Sequence, residues 1–69
     1  MTQHSDDEAV DALASAMKAK LKFAREQRGR GGWEDCPKDD LWRMLHEHVE
    51  KGDPVDVANF CAFLYSSKQ

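Results

Sequence analysis

Residues 41–65 read LWRMLHEHVEKGDPVDVANFCAFLY, and the fold turns on them. Leu41, Met44, Leu45 and Val49 recur at helical spacing, with Trp42 at the edge of the stripe and His48 inside it. Lys51-Gly52 stops that helix, and Asp53-Pro54 starts another at once. Asp53 offers a capping carboxylate, Pro54 takes the first helical position, and Asp56 stands three residues after the cap. With Gly52 as the whole connection, helices two and three form a tight hairpin, and Gly52 is expected in the left-handed conformation. The third helix runs to about Ser66 and is apolar almost all round; Phe63 falls between Asp56 and Asn59 on its one polar face. A helix of that composition is buried nearly all round, which two short helices cannot achieve. The sequence therefore predicts a homo-oligomer, with Phe60, Phe63, Leu64 and Tyr65 as interface residues.

Upstream, Pro37 marks the first turn of the second helix, and Asp39 and Asp40 favour its positive end. Gly29-Arg30-Gly31-Gly32 ends the first helix, and Trp33 in this loop is expected to fold back onto the core. The first helix is predicted from about Asp6 to about Gln27, opened by a capping box in which Ser5 takes the amide of Glu8. Val10, Leu13, Ala14, Met17, Leu21 and Ala24 form one stripe, and Ala12, Ala16, Ala19 and Phe23 form a second, so this helix is expected to pack on two sides. No strand-like alternation is present. The expected fold is all-α: one helical domain over residues 5–66, with frayed ends at 1–4 and 67–69.

A chain of 69 residues buries only about 60% of its unfolded surface, which makes its own core marginal. Multidomain enzymes and collagen-like fibres are excluded, and no run approaches the roughly 18 apolar residues of a membrane span. Two cysteines, Cys36 and Cys61, are too few for a disulfide framework. With an acidic start in place of a signal-like one, the expected location is cytoplasmic. The net charge of −3 hides a segregated pattern. Residues 1–17 carry four acids and no base, residues 18–30 six bases against Glu26, and residues 31–69 eight acids against four bases. A basic middle between acidic flanks suits phosphate, an acidic partner or a second copy of the chain.

Gly31-Gly32-Trp33-Glu34-Asp35, followed by Leu41, Leu45, Glu47, Val49 and Glu50 and by Gly52–Phe60, carries a resemblance over roughly residues 15–65. The segment resembles the small MazG-like proteins of phages and prophages, all-α nucleoside triphosphate pyrophosphohydrolases. It looks closer still to the C-terminal segment of lambdoid-phage delayed-early accessory proteins of the Ead/Eae kind. The MazG-like motif places EExxE on one helix and ExxD on the next, and the resemblance carries these onto His46–Glu50 and Asp53–Asp56. It implies Glu47, Glu50 and Asp56 as magnesium ligands, with Lys18, Lys22 or Arg25 on the phosphates. His46 stands where the motif has its leading glutamate, and Asp53 is needed as a cap.

Each candidate also has a plain structural reading. Glu47 and Glu50 share a helix face opposite Leu41 and Leu45, so they point away from the hairpin seam. His46 and His48 diverge by about 200° and cannot share one ion. Lys18, Lys22 and Arg25 lie on one flank of the first helix, where cations also favour the negative helix end. The sequence thus points to a non-catalytic, phage-encoded interaction module without a cofactor, acting as a homo-oligomer on a host protein. The alternatives are a minimal magnesium-dependent pyrophosphohydrolase and a weak nucleic-acid binder through the basic end of helix one.

Overall fold

A computed structural model describes residues 4–29 and 31–67. Arg30, Met1–Gln3 and Lys68–Gln69 lie outside the described residues, and with them most of the expected frayed ends. The described chain is all-helical, without strands: α1 (Ser5–Arg28), a short 3-10 turn (Trp33–Asp35), α2 (Lys38–Lys51) and α3 (Pro54–Ser66). The helix bounds fall within one residue of those predicted, and α2 and α3 form the expected close hairpin.

The helix ends show why the chain breaks where it does. Gly52 sits at φ 81° and its amide reaches the carbonyls of His48 and Val49, each at 3.1 Å. That left-handed position is strained for any residue with a side chain. Asp53 then caps α3, its Oδ1 accepting from the Val55 amide at 2.9 Å. Two starts differ from expectation. The N-cap of α1 is His4, whose ring Nδ1 accepts from the Asp6 amide at 3.0 Å; Ser5 is already helical, so the predicted capping box does not form and the cap lies one residue earlier. Pro37 precedes α2 at ψ 144°, outside the helix, and its carbonyl accepts from the amides of Asp40 and Leu41.

The core is thin. Among the described residues Leu41, 1% exposed, and Leu45 are the buried hydrophobic side chains. Around them runs an aromatic row. Trp33 stacks on Phe63 with centroids 5.1 Å apart, Phe63 meets Phe60 edge-on at 5.9 Å, and Phe60 meets His48 at 4.8 Å. Trp33 therefore folds back as expected, and the row ties the glycine loop through α3 to α2. His48 donates from Nδ1 to the Met44 carbonyl at 2.8 Å, which fixes its tautomer and its ring.

The first helix is not packed on two sides within the chain. Ala14, Met17, Leu21 and Ala24 are half-buried, whereas Ala12, Ala16, Ala19 and Phe23 are exposed. From His4 to Leu13 every residue is exposed. A 24-residue helix is about 36 Å long, close to the longest dimension of the described chain, 41 Å. The N-terminal half of α1 overhangs the hairpin.

Leu41→Ala is expected to abolish cooperative folding. Such a truncation removes about 2–5 kcal/mol, against a total of roughly 3–10 kcal/mol for a domain of this size. Loss of the thermal transition in circular dichroism is the expected result; a sharp transition shifted by a degree or two would show that the core lies elsewhere.

Candidate functional site

α1 meets the hairpin through one lysine. Lys20 Nζ lies 2.6 Å from Asp53 Oδ2 and 2.8 Å from Asp56 Oδ1, so one cation spans the cap and the first turn of α3. Both carboxylates gather at the positive end of a helix, and the ammonium compensates their mutual repulsion. The hydrogen bonds to Asp53, then to Asp56, hold Lys20 above its ordinary 10.5. The same contact to Lys20, with the Val55 amide second, holds Asp53 below its ordinary 3.8. Lys20 was not among the residues the sequence singled out. Its position three after Met17 and four before Ala24, at the edge of the apolar stripe, was the available signal.

Below this bridge, α1, the 3-10 turn and the hairpin enclose a cleft of about 850 Å³. Arg25 and Arg28 stand on its α1 wall, Trp33, Phe60 and Phe63 on its aromatic wall, and Asn59 at its floor. Asn59 is 4% exposed, and its Oδ1 accepts no hydrogen bond. A buried acceptor left so is destabilising by about 1–3 kcal/mol. Asn59 is the second residue that sequence reasoning missed, because an asparagine on the single polar face of a helix reads as solvated.

The carboxylates carried over from the family resemblance are not brought together in one chain. Glu47 is exposed on the outer face of α2, 3.5 Å from Arg43, and Glu50 is exposed as well. Asp56 faces α1 and is engaged by Lys20. Among the described residues no three His, Cys, Asp or Glu side chains converge as a metal site. His46 lies against Trp42, and Cys36 and Cys61 are unbridged. The three basic candidates also separate: Lys18 is exposed, Lys22 lies 4.0 Å from Glu26, and Arg25 lines the cleft.

The proposed interface residues divide between the two sides of α3. Phe63 stacks on Trp33 within the chain and Phe60 lies against His48. Tyr65, 94% exposed, is on the outside. There Val49, Pro54, Val57, Ala58 and Cys61 line a shallow apolar groove at the back of the hairpin. No helix among the described residues is long and apolar enough to cross a membrane. Comparison with protein-family models, with curated proteins and with solved structures gives no match.

Two outcomes follow. Asp53→Asn keeps a capping oxygen while removing the charge, so its melting-temperature deficit reports the Lys20 bridge together with the charge's attraction to the Val55 amide and the helix end. A depressed carboxylate contributes stability above its unfolded value of 3.8 that is lost as pH falls through the folded value. A raised lysine contributes below 10.5 and loses that contribution as pH rises through its folded value. The deficit should therefore be constant between those limits, vanish in acid and shrink with salt, since both side chains are substantially exposed. A deficit that persists in acid would show a packing effect. Asn59→Leu is expected to melt no lower than the parent, because it removes an unpaired buried acceptor; a drop of several degrees would show that the amide is satisfied.

Proposed function

We propose that this chain is a non-catalytic helical interaction module that acts as a homo-oligomer and engages a protein partner. The observation that carries this reading is the imbalance between core and open apolar surface. Two leucines are buried, while Val10 at 65%, Val49 at 52% and Tyr65 at 94% exposure stand in solvent with Leu13, Phe23 and Trp42. A domain this small needs further burial to be stable, and oligomerisation is the route open to a chain whose two cysteines are unbridged.

The resemblance to phage accessory proteins supports a regulatory partner in a host cell. The dispersal of Glu47, Glu50 and Asp56 supports a role other than hydrolysis. Sedimentation equilibrium of the full chain at micromolar concentration is the test. A dimer or larger species whose thermal stability rises with protein concentration is expected. A monomer with a concentration-independent transition would overturn the reading.

A further inference from the structure

We infer that the cleft between α1 and the hairpin is a binding site for a small aromatic acid, a planar ring system carrying one carboxylate and one N–H donor. This goes beyond the self-association proposed above, since every residue of the cleft comes from one chain. A void of about 850 Å³ lies within the size range of small-molecule sites. Its lining is of their kind as well, with aromatic and aliphatic side chains and a few polar groups at separate points. Trp33, Phe60 and Phe63 form an aromatic wall whose rings already brace one another. Such a wall receives the face or edge of a further ring.

The polar groups specify the rest of the ligand. Arg25 and Arg28 line the cleft from neighbouring turns of α1. Arg28 lies over the Phe23 ring at 5.7 Å, a contact that steadies the guanidinium without consuming a carboxylate. Of the other charges on the lining, Lys20 and Asp56 neutralise each other, which leaves two arginines against Glu34. The surplus is positive, and a planar guanidinium suits a carboxylate. The floor asks for a donor. Asn59 is 4% exposed and its Oδ1 has no partner. The terminal torsion of an asparagine is broad, so a modest rotation turns this oxygen toward a group entering the cleft. Unpaired, the buried acceptor is destabilising, and an N–H on the ligand relieves it. A buried acceptor also selects strongly against a ligand that lacks the donor.

The probe is indoleacetate, which has all three features, titrated into the isotope-labelled full chain and followed by NMR. The side-chain N–H signals of Trp33 and Asn59 should shift together and saturate, with a Kd of about 1 mM or below. The signal of Trp42, which does not line the cleft, should stay. Naphthaleneacetate keeps the ring system and the carboxylate but lacks the N–H, and methylindole lacks the carboxylate. Each should bind about tenfold more weakly. Arg25→Gln with Arg28→Gln should weaken indoleacetate about tenfold and leave methylindole unchanged. Both arginines are exposed, so this variant keeps the fold. Asn59→Leu should erase the preference for indoleacetate over naphthaleneacetate.

Equal affinity of the parent for the three compounds, or shifts at Trp42 as large as those at Trp33, would show unspecific apolar contact and overturn the site. Indoleacetate binding that the arginine variant does not weaken would overturn it as well, as would no binding at several millimolar. None of these outcomes depends on whether the chain is a monomer or an oligomer.

Discussion

Asp53 is the residue through which the parts of this fold are joined. One of its oxygens satisfies the Val55 amide at the start of α3; the other receives Lys20 from α1. The first contact makes a one-glycine turn workable, because α3 can begin immediately after α2 ends. The second fixes where a 24-residue helix crosses the hairpin. Apolar packing shares in that registration, with Ala14, Met17, Leu21 and Ala24 half-buried. The cation seated between two carboxylates adds a directional contact to that packing.

Composition misleads about which side of α3 faces inward. The sequence shows a nearly apolar helix with one polar strip, and the ordinary inference sends that strip to solvent. The strip lies instead between α1 and α2: Asp56 meets Lys20, Asn59 is buried, and Phe63 stacks on Trp33. The reach of the lysine side chain lets Asp56 turn inward while keeping a counter-charge. The aromatic residues then complete the row from Trp33 to His48. What remains outside is Pro54, Ala58, Cys61 and Tyr65, an apolar surface on a helix whose polar positions are committed within the chain.

The legible parts of the fold were those governed by local stereochemistry. Gly52 and Asp53-Pro54 place the hairpin, Gly29 ends α1 at φ 64°, and the spacing of Leu41 and Leu45 locates the core. The same local rules fall one residue short at His4, because an imidazole nitrogen can cap where a hydroxyl was expected. Illegible were contacts between residues distant in the chain, such as Lys20 with Asp53, thirty-three positions apart. No spacing rule reaches that far. The carboxylates Glu47, Glu50 and Asp56 are close in sequence yet do not converge: Glu47 and Glu50 are exposed on α2, and Asp56 is engaged by Lys20.

Charge and packing change at the same place along α1. Residues 1–17 are acidic and residues 18–30 basic, and the hairpin begins to cover the helix between Ala14 and Lys20. A helix serving a single internal surface has no need of such a division: its solvent face could carry charges of either sign in any order. Here the half that packs on the hairpin carries the cations, among them the one that Asp53 and Asp56 require, and the half that projects carries the acids. The ordering that brings a cation to Asp53 and Asp56 thus leaves the acids on the part of α1 that the hairpin does not cover.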